Sequence, residues 1–252
     1  MLYGNSSISH YSADNMMIWL VMGFQGGMIN VGGLMAGQHI VSHITGIATN
    51  FGLAVGYGEI GNALFLLVIP LFFLLGSITS GYLVDLRLHL KKKPKYYLSF
   101  GIMFFLLLSV YLLGGVGLFG SFGENAMGWR EFLLLSLLCL VCGIQNGTIT
   151  VVSKSIIRTT HLTGLTTDLG IGIVRVLNKN RINGMTYEGR ANFIRMGIIF
   201  AFASGAAIGG LLFKVYRYHA FLFPVIISGS LFLLMLYFQV LKQKDLQYSS
   251  NQ

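Results

Sequence analysis

The segment that decides the fold reads RTTHLTGLTTDLGIGI from Arg158 to Ile173, and a close copy, VSHITGIATNFGLAV, runs from Val41 to Val55. Each copy places a histidine, a threonine, a glycine, a second threonine and then an amide or carboxylate at the same spacing. The matched positions are His43 with His161, Thr45 with Thr163, Gly46 with Gly164, Thr49 with Thr167, and Asn50 with Asp168. One copy lies in each half of the chain, which indicates an internal repeat.

Neighbouring segments extend the repeat in both directions. Upstream, GFQGG from Gly23 aligns with GIQNG from Gly143, and downstream GSITSG from Gly76 aligns with GAAIGG from Gly205. We therefore predict two repeats, residues 1–123 and 124–252, with the break between Gly123 and Trp129.

The composition is that of an all-α integral membrane protein. Hydrophobic residues make up 54% of the chain and charged residues 10%, whereas about a quarter of a soluble domain is charged. Six apolar segments of about 20 residues could each cross a bilayer core of roughly 30 Å. The predicted spans are residues 15–37, 60–84, 96–119, 132–153, 191–213 and 218–241. We interpret the first as a span rather than a cleaved signal, since no basic residue precedes it.

The placement of Lys and Arg predicts the topology. If the polar segments 38–58 and 159–177 enter the membrane and return, all basic residues except Arg130, Lys214 and Arg217 fall on one side. If both segments cross, the two sides of the membrane carry nearly equal numbers of Lys and Arg residues. The cytoplasmic side should carry the excess, so we predict six transmembrane helices plus two re-entrant or broken helical segments, with both termini cytoplasmic. Three spans per half make the second half enter upside down, an inverted 3+3 repeat of the kind found in transporters.

The repeated motifs also resemble a known family. GFQGGMINVGGL, VSHITGIATNFG, GIQNGTI and RTTHLTGLTTDLGIGI occur in the order found in the YoaK-like family of bacterial multi-pass membrane proteins, a domain of unknown function. The resemblance covers essentially the whole chain. It implies about six transmembrane segments and a bacterial cell membrane, and it implies no substrate.

Asp168 is the one acidic residue within an apolar stretch. A carboxylate at membrane depth costs a few kcal/mol, so it usually faces a cavity or a partner. Asp168 could couple protons or face a cation. It could equally cap a helix or hydrogen-bond to a neighbouring helix.

The other repeated polar residues have two interpretations each. His43 and His161 could relay protons or bind metal, or donate to backbone carbonyls. The glycines permit a sharp turn, and threonines beside a helix N-terminus suit an anion or polar solute; the alternative is close helix packing. Gln25, Asn30, Gln145 and Asn146 lie in the preceding spans. Since amides need hydrogen-bond partners in lipid, they should face the motifs, either lining a pathway or bracing it.

We expect a small secondary transporter or channel for a small anion or polar solute, proton-coupled through Asp168. The expected pathway lies between the two motifs, which meet near the membrane midplane. The first alternative is a structural or assembly protein whose polar motifs only pack helices. The second is a membrane-embedded enzyme with His161 as base and Asp168 as its orienting residue, but no nucleophile motif accompanies them, so we expect no enzyme.

The expected partners are the lipid bilayer and a small-molecule or ion substrate, and a homo-oligomer is compatible with the sequence. The net charge of +9 lies in loops and not in an aromatic-rich basic patch, so no nucleic acid is expected. No cofactor or metal is expected either, since Cys139 and Cys142 lack the further ligands that a zinc site needs. We interpret them as buried packing residues.

Overall fold

The structure, a computed structural model, describes residues 13–124, 128–153, 161–181 and 188–241, and these contain helices and no β-strand. The long helices are α1 (Ala13–Gly37), α3 (Ile60–Ser80), α5 (Tyr96–Gly115), α6 (Trp129–Val152), α8 (Glu188–Tyr216) and α9 (Leu222–Leu236). The shorter helices are α2 (Ile44–Gly56), α4 (Leu86–His89) and α7 (Leu162–Leu177). A π-helical turn, Gly81–Asp85, joins α3 to α4, and a 3-10 turn, Arg217–Phe221, joins α8 to α9.

Five helical segments of the described chain are long and apolar enough to cross a membrane. They are Asn15–Gly37, Ile60–His89, Tyr96–Gly115, Trp129–Val152 and the 54-residue segment Glu188–Leu241, which contains both α8 and α9. The sequence predicts a third span that continues to residue 119, but α5 ends at Gly115. The chain leaves the helix there because Gly117 adopts a φ of 77°, a left-handed conformation that glycine tolerates.

At one end of the bundle, the C-terminal ends of three helices lie together. Gly32 of α1 packs on Phe213 of α8, and Gly114 of α5 packs on Tyr218, which directly precedes α9. The 3-10 turn reverses the chain at this end, where Arg217 has a φ of 51°. Helices α1, α5 and α8 therefore run in one direction, and α9 begins where they finish.

Helices α3 and α6 run the opposite way. Gly37 at the end of α1 packs on Leu135 near the start of α6. The hydroxyls of Ser80 in α3 and Thr148 in α6 lie 3.0 Å apart at the other end of the bundle. The chain thus traverses the bundle in alternating directions through α1, α3, α5, α6, α8 and α9.

Small residues allow two helix pairs to approach closely. Helix α1 runs parallel to α8, and a Cβ atom on Gly205 would overlap the carbonyl oxygen of Phe24. Helix α3 runs parallel to α6, and a Cβ atom on Gly143 would overlap the carbonyl oxygen of Phe73. Backbones packed this closely gain van der Waals contact, which is the main attraction between helices in lipid.

The chain turns back into the bundle before α2 begins. Gln38 has a φ of 56°, and beyond it Val41 lies against Gly33 of α1. The backbone N–H and the hydroxyl of Ser42 both donate to Oδ1 of Asn30, at 3.2 and 2.8 Å. Asn30 lies seven residues before the end of α1, which corresponds to a depth of about 10 Å. Helix α2 therefore starts inside the bundle and runs back toward its edge.

Helix α7 has the same arrangement at the opposite end. It packs antiparallel on α8, since the carbonyl of Asp168 lies 3.4 Å from the Arg195 guanidinium and Arg175 lies 3.6 Å from Glu188. The first residue of α7 thus lies deeper along α8 than Arg195, and its last residues lie near the start of α8. Residues 159 and 160 of the predicted polar segment are outside the described residues.

Candidate functional site

The repeated histidines fold back over the first turns of α2 and α7. Nδ1 of His161 accepts a hydrogen bond from the backbone N–H of Gly164 at 3.2 Å, which caps α7. His43 precedes α2, and its Nε2 lies 2.9 Å from the hydroxyl of Thr45. Because the cap in α7 needs an unprotonated Nδ1, it requires the neutral imidazole.

The glycines have a role other than the predicted sharp turn. A Cβ atom on Gly46 would lie 2.9 Å from Nδ1 of His43, and one on Gly164 would overlap Nδ1 of His161. Both helices continue unbroken through these positions. The glycine leaves room for the histidine ring, so the prediction of a sharp turn was wrong.

The threonines and the acid–amide pair lie on exposed faces. On α2 the face comprises Thr45, Thr49 and Asn50, and on α7 it comprises Thr163, Thr167 and Asp168. Two of the hydroxyls bond within their own helix, Thr49 to the carbonyl of Thr45 at 2.9 Å and Thr167 to that of Thr163 at 3.0 Å. The carboxylate of Asp168 makes no hydrogen bond or ion pair with any described residue. In the single chain these polar faces therefore point outward.

The two faces are not brought together. Helix α2 packs on α3 and α7 packs on α8, and the described residues of α2 and α7 share no substantial packing interface. The structure therefore brings together the residues of each motif but not the two motifs.

The span amides brace helices. Gln25 is fully buried, and its amide donates to the hydroxyl of Ser228 and, at 3.4 Å, to the carbonyl of Pro224. Gln145 is also fully buried and donates to the carbonyl of Met22 at 2.7 Å. Their side chains tie α1 to α9 and α6 to α1. The expectation that the amides face the motifs holds for Asn30, whose Oδ1 accepts from Ser42 of the first motif, and is wrong for Gln25, which bonds to α9. For Gln145 and Asn146 it stays a prediction. Asn146 is half-buried on α6.

A charged cluster that no sequence motif predicted fastens α7 to α8. Arg195 is 8% exposed, and its Nη1 donates to Glu188 at 2.7 Å and to Asn192 at 2.8 Å. Glu188 also pairs with Arg175 of α7 at 3.6 Å. Glu188, Asn192 and Arg195 share one face of α8 because they lie three, four and seven residues apart. This spacing, together with a cation next to an apolar run, is the sequence signal that could have predicted the cluster.

A second cluster surrounds a cavity of about 470 Å³ at the end of the bundle where α1 finishes. Its lining includes His39, which follows α1, Asn62 and Phe65 of α3, and Glu131 of α6. The Glu131 side chain is 9% exposed, and its Oε1 lies 3.6 Å from Nε2 of His39. Burial lowers the pKa of His39 from its usual 6.5, so this imidazole is neutral at pH 7.

This cavity could not be predicted from the sequence. His39 lies outside the repeated motif, and Glu131 lies just before the predicted span 132–153. Only the return of the chain after Gln38 brings the two side chains together. No periodic pattern in the sequence reports such a contact.

The cysteines agree with the prediction of packing residues. Cys139 and Cys142 are free and fully buried, and the thiol of Cys139 donates to the carbonyl of Val41 at 3.2 Å. Within the described residues, no group of three or more His, Cys, Asp or Glu side chains could hold a metal ion.

The fold and these clusters define a class: an all-helical protein with apolar helices of membrane-spanning length and shorter helices between them. The chain belongs to the family described as "Protein of unknown function (DUF1275)", whose model matches residues 18–234. This match confirms the resemblance to the YoaK-like family. No curated protein and no solved structure is significantly similar to the chain.

Proposed function

We propose that this protein is a small membrane transporter or channel for a small anion or polar solute, built as an inverted repeat. In this proposal α1, α3, α5, α6, α8 and α9 are the six spans, and α2 and α7 are re-entrant helices. Asp168 couples transport to protons. The proposal assigns the protein no catalytic chemistry, and His161 already uses Nδ1 to cap α7, seven residues before Asp168.

The observation that carries the proposal is how the helices of the two halves pair. Helices α1 and α6 come first in their halves, α3 and α8 second, and α5 and α9 third. The first helix of each half packs parallel to the second helix of the other half. The two first helices pack antiparallel, as do the two third helices. A two-fold axis lying across the helices, as in inverted-repeat transporters, would produce these pairings.

Matched glycine contacts support the same symmetry. A Cβ atom on Gly205 would overlap the carbonyl oxygen of Phe24, and one on Gly76 would overlap that of Leu140 and lie 2.8 Å from the backbone N of Ile144. Gly205 aligns with Gly76, and Phe24 aligns with Ile144. The aligned glycines thus lie at equivalent helix crossings, but the carbonyl nearest to Gly76 belongs to Leu140, one helical turn before the residue aligned with Phe24.

The two half-length helices support a solute pathway. Each has its N-terminus inside the bundle and its C-terminus at the edge, one at each end of the bundle. Partial positive charge at helix N-termini favours anions and polar solutes, and discontinuous helices of this kind form the substrate sites of several transporters. Asp168 stands where the first half has Asn50, which is the charge difference between the two motifs.

One observation favours the alternative of an assembly protein. The faces that carry Thr49, Asn50, Thr167 and Asp168 are exposed on the single chain, and both threonine hydroxyls already bond to their own helices. A second membrane protein, or another copy of the chain, could cover these faces.

Cysteine labelling tests the topology. Cys139 and Cys142 are buried, so a single introduced surface cysteine should be the one that reacts. We expect Lys92→Cys and Lys179→Cys to react from the cytoplasmic side and Val116→Cys from the outside. Labelling of positions 92 and 179 from opposite sides would refute the inversion.

Transport is tested in proteoliposomes with a proton gradient, using acetate as the anion and glycerol as the neutral solute. We expect uptake of one of them by the native protein, loss of its pH dependence in Asp168→Asn, and retention in the control Asp85→Asn. If uptake by the Asp168→Asn variant still depends on pH, Asp168 does not couple transport to protons. No uptake, together with a stable complex lost in Asp168→Asn, would favour assembly instead.

A further inference from the structure

The cavity beside Glu131 has the lining of a cation site. The Glu131 side chain is nine-tenths buried and accepts no hydrogen bond from any described residue; its nearest ionisable neighbour is His39 at 3.6 Å. A buried carboxylate is costly unless a cation, a donor or a proton satisfies it. The described lining contains no Lys or Arg.

The two amides at the cavity also present acceptors. The Nε2 of Gln38 donates to the carbonyl of Gly123 at 3.4 Å, and the Nδ2 of Asn62 donates to Glu59 at 3.0 Å. One hydrogen of each NH2 group is engaged outside the cavity, and the carbonyl oxygen of each side chain can still accept a hydrogen bond. A carboxylate and two amide side chains therefore line one space.

The apolar part of the lining decides the kind of cation. Phe65 lines the cavity, and its ring packs against Phe132 with centroids 5.7 Å apart. A cavity of about 470 Å³ lies in the range of organic ligands and is far larger than a bare metal ion needs. Aromatic rings also attract ammonium groups through their π faces.

We propose that the cavity between His39, Asn62, Phe65 and Glu131 binds a small organic monovalent cation with a primary ammonium group. The ammonium N–H groups pair with Glu131 and donate to the amide oxygens of Asn62 and Gln38. The alkyl part lies on Phe65. This binding goes beyond the transport proposal, since it is expected whether or not the protein moves a solute.

The test is binding of butylammonium chloride to the purified full chain in detergent, followed by the shift in thermal unfolding midpoint. Butanol and sodium butyrate have similar size without the positive charge, and sodium chloride matches the ionic strength. We expect saturable stabilisation by butylammonium alone. No stabilisation, or an equal effect of butanol or butyrate, would overturn the proposal.

A matched pair of variants assigns the site. Asp85 at the other end of the same bundle lies 3.6 Å from Nε2 of His89, the distance that separates Glu131 from His39. We expect Glu131→Gln to weaken butylammonium binding by about tenfold or more, as expected for loss of a charge-assisted hydrogen bond, and Asp85→Asn to bind as the native protein does. Equal weakening in both variants would contradict the assignment.

A labelling experiment on the native chain covers the case in which Glu131→Gln does not fold. Dicyclohexylcarbodiimide, an apolar reagent that modifies buried protonated carboxyl groups, should add to Glu131, with the position read by mass spectrometry. Butylammonium should slow this reaction while sodium chloride does not. Labelling at an unchanged rate would reject the site.

Discussion

The N–H of Gly164 donates to Nδ1 of His161 at 3.2 Å, and the glycine has no side chain to obstruct that ring. In α7 the glycine leaves room for the side chain that caps the helix. In α2 the same spacing places Gly46 beside the His43 ring, although His43 does not cap that helix.

Gly164→Ala should therefore destabilise the protein. The added methyl group would displace the His161 ring and remove the cap, and the loss of a cap costs about 0.5–2 kcal/mol. The control is Gly170→Ala in the same helix, where a Cβ atom meets nothing within 4 Å. We expect that substitution to be neutral or to stabilise by up to about 1 kcal/mol. Denaturant titration followed by circular dichroism measures both, and equal effects would contradict the capping role.

Gly205→Ala should loosen α1 from α8. Its methyl group would overlap the carbonyl oxygen of Phe24, which belongs to a rigid helix backbone, and overpacking costs about 1–3 kcal/mol. Gly210→Ala is the matched control, since its Cβ atom would lie 3.9 Å from Val31, an ordinary contact. The fluorescence of Trp19, buried in α1 with 1% exposure, reports the unfolding. An unchanged midpoint in Gly205→Ala would refute the close packing.

Arg195→Ala should destabilise the α7–α8 contact. Removing one partner of a buried charge pair costs about 3–5 kcal/mol because the other charge is left uncompensated. Glu188 retains Arg175 at 3.6 Å, so we expect the lower part of this range. Arg190→Ala removes an exposed cation from the same helix and should change the free energy of unfolding by less than about 0.5 kcal/mol.

A double variant separates pairing from packing at this cluster. Glu188→Gln combined with Arg195→Leu removes both charges, and we expect it to be more stable than Arg195→Ala. If the double variant is no more stable than Arg195→Ala, the Glu188–Arg195 ion pair does not explain the destabilisation.

Lower pH should destabilise the protein through His39. Burial lowers the pKa of His39 in the folded state below 6.5, so the unfolded chain takes up its proton first. Stability is then lost as the pH falls from 6.5 toward the lowered value. Among the side chains that face His39, only Glu131 can oppose this loss of stability, since Asn62 and Phe65 are neutral. Glu59 is hydrogen-bonded to Asn62.

Unfolding midpoints measured across this pH range test the effect. His39→Gln should lose less stability than the native chain as the pH falls. Equal losses in the two proteins would assign the pH dependence to other groups.

Helical segments could be predicted from the sequence alone, for a local reason. Apolar runs of about 20 residues fix helices in lipid, and the match of Gly76 with Gly205 marks positions where helices approach closely. The amides were harder, because Gln25 bonds to Ser228, 203 residues away. A polar residue in an apolar span needs a hydrogen-bond partner, but the sequence does not show which residue that partner is.

By itself, the sequence determined the helical, membrane-type character of the chain, its family and the two motifs, since these depend on composition, length and spacing. Only the tertiary structure decided that the motifs lie apart, that Arg195 pairs with Glu188 beside α7, and that His39 faces Glu131 across a cavity. Those contacts depend on where the chain turns back at Gln38 and on how helices distant in sequence pack. Neither the turn nor the packing can be predicted from hydropathy and residue spacing.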